Sequence, residues 1–282
     1  MSARAVPAEG FLTINGLKLR YLDWGGGALP IVMLHGLRGY AETWQAAAEQ
    51  LPGRFRPLAL DQRGRGGSDW GPWQGYWAGQ YVSDLESFID QLGLERFVLI
   101  GHSMGGTNAI VYTARHPDRV AALVIEDMGP GASTGSAGSS RIKGELGGTP
   151  DFFASWSEVD AYWRAQRPNA PIEALRSRLK HTLRELPDGR IAWRYDLDGI
   201  RRARMEPSLQ IDLWPYVADL RCPTLVIRGA QSDFLARDTA EEMVRRNSNL
   251  RWVEIAHASH YVHDDNFPDF NHALSQFLDD VR

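Results

Sequence analysis

The stretch Arg96–Gly106, Arg-Phe-Val-Leu-Ile-Gly-His-Ser-Met-Gly-Gly, constrains this chain more than any other. Phe97–Ile100 is a short apolar run with β-branched residues and predicts a buried strand. Gly101-His102-Ser103-Met104-Gly105 fits G-x-S-x-G, and the spacing of Ala109, Ile110, Tyr112 and Thr113 predicts a helix directly after it. Strand, sharp turn and helix are the context of a nucleophile elbow. Ser103 then stands at the apex in a strained conformation, with Gly101 and Gly105 leaving room for close backbone approach. The Met104 N–H, at the start of the helix, faces the same space. Helix N-termini favour negative charge, so an oxyanion forming beside Ser103 would be stabilised there.

The chain around this stretch has 282 residues, enough for one large domain or for a core domain with an insertion. Its net charge is −4, with no basic block to suggest nucleic acid and no long acidic tail. The single cysteine, Cys222, excludes an intramolecular disulfide and fits a reducing, cytoplasmic setting. Standing before Pro223 at the entry to a strand, it reads as packing. Met1–Gly10 lacks the apolar core of a secretory signal, and no apolar run is long enough to span a membrane. The expected partner is a small-molecule substrate, without nucleic acid or membrane, for a monomer or homodimer.

In chain order, Phe11–Ile14 and Leu17–Asp23 flank Asn15-Gly16, a hairpin signal that starts the sheet antiparallel. Pro30–Leu34 predicts a buried strand ending at His35-Gly36, and Ala41–Leu51 has helical spacing. Arg56–Leu60 predicts the next strand, followed by the Gly-rich turn Asp61-Gln62-Arg63-Gly64-Arg65-Gly66-Gly67-Ser68-Asp69. Tyr81–Leu92 aligns Tyr81, Leu85, Phe88, Ile89 and Leu92 on one helical face. After the elbow and its helix, Val120–Glu126 predicts another buried strand. Strands and helices alternating in this way imply a mostly parallel sheet with helices on both faces.

The character changes after Asp127. Gly129–Thr149 is rich in Gly and Ser and reads as a loop or hinge. Ser157-Glu158-Val159-Asp160 resembles a capping box opening a helix to about Gln166. Pro171–Leu186 predicts a second helix, Ile191–Tyr195 a short extended piece, and Ile200–Met205 a further helical turn. Strand rhythm resumes beyond Pro215 with Thr224–Arg228, a helix at Ala236–Asn247, Arg251–Ile255 and a last helix at Phe267–Val281. Residues 131–215 are thus expected to be an insertion into a core made of residues 1–130 and 216–282. Insertions after the carboxyl ends of strands sit over the crevice of open α/β sheets, so a helical lid is its expected role.

With these features in place the chain resembles the α/β-hydrolase superfamily over essentially its whole length. The resemblance is carried by His35-Gly36, the Asp61–Ser68 loop, Gly101–Gly106, Gly229-Ala230-Gln231-Ser232-Asp233 and His260-Tyr261-Val262. The order nucleophile, acid, histidine is the one this fold uses. Similar dehalogenases and epoxide hydrolases carry Asp at the nucleophile position, and Ser103 argues against both.

A serine hydroxyl needs a base at neutral pH. Of the eight histidines, His35 and His102 adjoin glycine in motif positions and are expected to orient loops. His116 reads as a helix cap, His181 falls in the insertion and His272 in the last helix. His257, His260 and His263 follow the last strand, where the family histidine falls. The resemblance aligns the family's Gly-His pair with Ser259-His260, a departure at the glycine, and makes His260 the expected base. His257 is the alternative base; otherwise His257 and His263 read as solvated loop or pocket-wall residues. Two acids compete. Asp233 ends the strand where most of the superfamily places its carboxylate. Asp127 ends the strand after the elbow helix, within an Asp-x-x-Pro segment, and a Gly-x-x-Ser segment stands on the later strand; several similar subfamilies with both use the earlier acid. Asp127 is preferred, Asp233 is the alternative and Glu126 a third choice. The expected oxyanion donors are the Met104 N–H and, from the loop after the third strand, the Leu37 N–H.

Arg38 follows directly and reads as a surface arginine or partner of the Asp61 loop; the resemblance to amidohydrolases that act on acidic substrates, which use arginines in this way, implies instead a binder of a substrate carboxylate helped by Arg141 and Arg164. Aromatics cluster at Trp70, Trp73, Tyr76, Trp77 and Tyr81, and again at Phe152, Phe153, Trp156, Tyr162, Trp163 and Trp193. Most are expected in the core between lid and main domain, the rest, Trp163 among them, lining an apolar pocket for a small or medium acyl or aromatic group. Lys143, Arg176, Arg178, Arg201, Arg202 and Arg204 read as a solvated helix surface. The expected activity is a serine hydrolase acting on a carboxylic ester, or else an amide or thioester. No metal or organic cofactor is implied, because the triad supplies nucleophile, base and electrophilic stabilisation together. A cofactor-free dioxygenase of the same fold acting on a heteroaromatic substrate, and a non-catalytic ligand binder, are the alternatives.

Overall fold

The computed structural model describes residues 6–168 and 170–281; residues 1–5, half of the Met1–Gly10 stretch read above, lie outside them. Strands β1 (Ala8–Ile14) and β2 (Leu17–Asp23) form the expected hairpin. Its turn is made by Asn15 and Gly16, both at positive φ (49° and 79°), the conformation that matches a two-residue turn to strand twist. There follow β3 (Leu29–Leu34), α1 (Gln45–Gln50), β4 (Phe55–Leu60), α2 (Ala78–Gln91), β5 (Phe97–His102), α3 (Met104–Arg115) and β6 (Val120–Glu126). The next segment carries α4 (Ala132–Gly135), α5 (Ala137–Gly148), β7 (Phe152–Phe153), α6 (Trp156–Gln166), α7 (Ile172–Thr182), β8 (Leu183–Glu185), β9 (Ile191–Trp193), α8 (Leu197–Met205) and α9 (Trp214–Ala218). The chain closes with β10 (Thr224–Gly229), α10 (Arg237–Arg246), β11 (Leu250–Ile255), α11 (Val262–Asp265) and α12 (Phe267–Leu278).

Eight strands pair in the order β1-β2-β4-β3-β5-β6-β10-β11, parallel from β4 to β11 and antiparallel at the β1–β2 and β2–β4 pairs. The buried strands are apolar on both faces, as a parallel sheet covered by helices requires. Alternate residues feed two cores. Val32, Leu34, Leu99, Leu123 and Ile125 join Val82, Phe88 and Tyr112 of α2 and α3, whereas Ile31, Met33, Val98, Ile100 and Val124 join Ala47 of α1 and Phe270 and Leu274 of α12. The chain runs from β3 outward to β4 and then returns to place β5 on the other side of β3. That reversal is a topological switch point, where the carboxyl ends of the strands open a crevice.

The segment between β6 and β10 departs from several expectations. Gly129–Thr149 is not a loop: it holds α4 and α5, and the Ser136 hydroxyl caps α5 by accepting from the Ser139 N–H at 2.9 Å. Its glycines hid the helix from propensity, yet one of them lets it dock. A Cβ at Gly138 would lie 2.7 Å from an Asp233 oxygen, while Ile142 and Leu146 bury the other contacts. The capping box of α6 stands two residues earlier than read, with Ser155 accepting from the Glu158 N–H. Pro171–Leu186 is helical only to Thr182, because 183–185 turn extended to pair with β9 in a small antiparallel sheet of order β7-β9-β8. Ile200–Met205 begins at Leu197, capped by Asp196. No helix among the described residues is long and apolar enough to cross a membrane.

Candidate active site

The elbow is built by exclusion of side chains. Ser103 sits between β5 and α3 at φ 53° and ψ −116°, a conformation costly for a residue with a Cβ. The turn is held by Ser103 N–H donating to the Glu126 carbonyl and by Thr107 N–H donating to the Ser103 carbonyl, both at 3.0 Å. A Cβ at Gly101 would lie 2.3 Å from the Gly105 carbonyl oxygen, and one at Gly105 2.2 Å from that of Leu34. Only glycine fits at either shoulder. Met104, first residue of α3, has an N–H with no acceptor inside its helix.

His260 arrives from the loop between β11 and α11. Its Nε2 lies 2.9 Å from Ser103 Oγ and its Nδ1 2.7 Å from Asp127 Oδ2. All three side chains are buried. Asp127 is itself at positive φ (48°), pinned by its N–H donating to the Ile227 carbonyl at 2.8 Å. Its carboxylate also accepts from the Gly229 N–H at 3.2 Å and from the Ser232 hydroxyl at 2.5 Å. These are the Gly and Ser of the Gly-x-x-Ser segment. Asp233 is not in this group. It forms an ion pair with Arg141 at 2.7 and 2.9 Å, and that partner holds its carboxyl below the usual range. Glu126 pairs elsewhere too, with His263.

The two motif histidines brace the neighbouring loops. Burial drives His35 down to about 3, so it is neutral; its Nδ1 donates to the Gly36 carbonyl and its Nε2 accepts from the Gln62 N–H. His102, pushed far below its ordinary value by burial and by the nearby His260 and His263, donates from Nε2 to the His260 carbonyl at 2.9 Å. His116 ends α3 and bonds Glu86. Of the two readings for His263, the pocket wall holds and the solvated loop does not: it is buried against the Glu126 carboxylate and lines a cavity beside Ser103. Cys222 is buried, as packing predicts.

Two cavities border Ser103. The larger is walled by Leu37, Met104, Met128, Ile142, Ile200 and Phe234, with Ile142 and Ile200 supplied by the segment between β6 and β10. The smaller holds Arg38, His102, Arg178, His260, Tyr261 and His263. Arg38 is neither at the surface nor paired with Asp61, whose partner is Arg20; it is buried and bonds Glu145 at 2.5 Å. Arg141 bonds Asp233 and shares Glu145 with Arg38 on a neighbouring cavity rather than in the smaller one, whereas Arg164 is an exposed partner of Asp160. Arg178 is buried rather than solvated. Trp163 is buried in a cluster with Tyr162 and Trp193 and borders neither cavity beside Ser103. Of the other aromatics, Trp70, Trp77, Phe152 and Trp156 are exposed.

A family model described as the alpha/beta hydrolase fold matches residues 30–267. The chain belongs to that family. Among its alpha/beta hydrolase relatives, a 2-(acetamidomethylene)succinate hydrolase of Mesorhizobium japonicum is 28% identical over 94% of this chain and 93% of its own. The esterase Rv0045c of Mycobacterium tuberculosis is 31% identical over 86% of this chain and 80% of its own. A crystal structure of E-2-(acetamidomethylene)succinate hydrolase superposes with a TM-score of 0.86 at 25% identity, covering 97% of this chain and 99% of that one. These likenesses support a hydrolase.

One residue of this alpha/beta hydrolase escaped sequence reading apart from its place in the Gly-rich turn. Arg65 is fully buried, and its Nε donates to the Leu37 carbonyl at 3.0 Å while its Nη2 approaches Met104 Sδ at 3.7 Å. It bonds Tyr81 and the Arg63 carbonyl as well, and no carboxylate among the described residues pairs with it. One guanidinium thus touches both residues expected to give oxyanion donors.

Proposed function

We propose that this chain is a serine hydrolase that cleaves a carboxylic ester, or an amide or thioester, through an acyl-enzyme. The observation that carries the reading is the buried relay Ser103 Oγ, His260 Nε2, His260 Nδ1 and Asp127 Oδ2, with consecutive contacts of 2.9 and 2.7 Å. A carboxylate at Nδ1 can only accept, which assigns the Nδ1 proton and leaves Nε2 as the base facing the hydroxyl. Ser103 attacks the substrate carbonyl as His260 Nε2 takes its proton, and Asp127 stabilises the imidazolium without becoming protonated. The Met104 and Leu37 N–H groups receive the oxyanion, each donor of this kind supplying about 3 kcal/mol to the transition state. The tetrahedral species collapses as His260 protonates the leaving group. Water then gives a proton to His260, attacks the acyl carbonyl and frees Ser103.

The apolar wall of the larger cavity supports a small or medium acyl or aromatic group there. Residues 131–215 act as the lid that supplies Ile142 and Ile200 to that wall. Arg38 faces the smaller cavity and is a substrate-binding residue; Trp163 contributes from behind, its ring lying under the Arg178 guanidinium at 5.3 Å.

A fluorophosphonate read by intact mass tests this. The expected result is one adduct per chain that is absent in Ser103→Ala, with turnover of p-nitrophenyl esters. A folded protein that takes no adduct and cleaves no ester defeats the reading.

A further inference from the structure

His263, on the wall of the smaller cavity, belongs to a second imidazole–carboxylate pair that the proposed chemistry leaves unused. Glu126 precedes Asp127, and His263 lies three residues beyond His260, in α11. His263 Nδ1 is 2.7 and 2.8 Å from the two Glu126 oxygens, and its backbone N–H donates to the same carboxylate at 2.9 Å. Because a carboxylate only accepts, Nδ1 carries a proton. Nε2 is buried with no hydrogen-bond partner, 3.6 Å from Asp264 Oδ1. Burial alone would lower the pKa of this ring, but Glu126 and Asp264 outweigh it and hold it above the ordinary histidine value. The ring therefore offers Nε2 as a donor over more of the pH range than a free imidazole does.

Two guanidiniums share this wall and show the same deficit. Arg38, 7% exposed, gives Nη2 to Glu145 and leaves Nη1 without an acceptor. Arg178, 4% exposed, reaches the Arg38 carbonyl from Nη1 at 3.4 Å and leaves Nε without one. Their carboxylate neighbours are already engaged: Glu145 also binds Arg141, and Asp264 binds Arg167 at 2.8 Å. Tyr261, on the same cavity, reads the resulting field. Burial should raise its phenol, yet Arg38, Arg178 and Arg167 pull it below the usual range. Arg38 follows β3, Arg178 lies on α7 and His263 on α11, so no local motif requires the three to meet. Buried donors without acceptors are rare in native proteins and ask for a partner.

We propose that Arg38, Arg178 and His263 form a subsite for a carboxylate of the substrate, in the cavity that also holds Ser103 and His260. Planar carboxylates accept two or more N–H bonds from such forks, and Arg38 Nη1, Arg178 Nε and His263 Nε2 are left here without an acceptor. The inference rests on the serine hydrolase reading and narrows its substrate class: an ester or amide with an apolar part for the larger cavity and a carboxylate for the smaller.

The test compares kcat/KM within two matched pairs. They are 4-nitrophenyl butyrate against mono-4-nitrophenyl succinate, and phenyl acetate against 3-carboxyphenyl acetate, each divided by its rate with hydroxide. The wild type should prefer the anionic member of at least one pair by about tenfold or more. In Arg178→Met and in His263→Gln that ratio should collapse toward one, mainly through KM, and Arg178→Lys should restore part of it. Arg164→Met, on an exposed helix surface, should keep the wild-type ratio. Equal handling of both members by the wild type overturns the subsite without needing any variant to fold, and means that water satisfies these donors. A fluorophosphonate adduct in that same protein shows that the hydrolase reading survives. If no adduct forms and no ester is cleaved, the hydrolase reading fails instead, and the subsite is read by thermal stabilisation with glutarate. A shift present in the wild type and lost in Arg178→Met supports the subsite, and no shift overturns it.

Discussion

Asp127 and Asp233 stand at the ends of adjacent strands, and their surroundings separate their roles. Asp127 is fully buried with three donors on its carboxylate, one of them His260; Asp233 is partly exposed and spends both oxygens on Arg141. Asp127→Asn should therefore lower kcat by about 10³–10⁴, since an amide at that place stabilises the wrong tautomer of His260. Asp233→Asn should change kcat by no more than a few-fold. Equal losses in the two variants, measured on one ester by steady-state kinetics, would contradict the assignment. The Gly-x-x-Ser segment was the legible half of this choice, because its Ser232 hydroxyl and Gly229 N–H both reach Asp127. The deciding half, the ion pair between Asp233 and Arg141, joins residues 92 positions apart and had no sequence signal.

At the scale of elements, the elbow depends on backbone contacts that tolerate no side chain. Gly105→Ala places a methyl 2.2 Å from a carbonyl of β3, with no flexible side chain able to yield. It should destabilise the protein by about 3 kcal/mol, the upper end for overpacking, measured by urea unfolding. Gly131→Ala is the contrast: nothing lies within 4 Å, so only its positive φ of 76° matters, and the cost should be about 1–2 kcal/mol. A smaller loss for Gly105→Ala than for Gly131→Ala would refute the packing account. Elements whose periodicity and flanking turns agree, such as β5, α2 and β6, were legible in the sequence. Helix α5 was not. Its four glycines predict a loop, and it exists because Ser136 caps it and because Gly138 lets it sit against Asp233.

At the scale of the whole molecule, Arg167 and Asp264 tie α6 to α11 across the cleft, with Arg178 and His263 close by. Burial would raise the Asp264 carboxyl, but His263, Arg167 and Arg178 outweigh it and hold it at about 2 against an ordinary 3.8. A carboxyl lowered on folding is protonated first in the unfolded chain. Its contribution is therefore complete above pH 3.8 and disappears as pH falls toward 2. Calorimetric Tm values for the wild type and Asp264→Asn should differ near neutrality and converge across that window. A constant difference would mean that the ionised Asp264 carboxylate is not what stabilises the fold. The sequence by itself determined the sheet, the elbow and the candidate identities of Ser103 and His260, because hydrophobic period and glycine placement are local properties. Only the tertiary structure decided that Asp127 rather than Asp233 meets His260, that Arg65 touches both Leu37 and Met104, and that Arg38, Arg178 and His263 share one wall. Each of these depends on burial and on partners brought together from distant elements, and burial sets what a charged side chain must pair with.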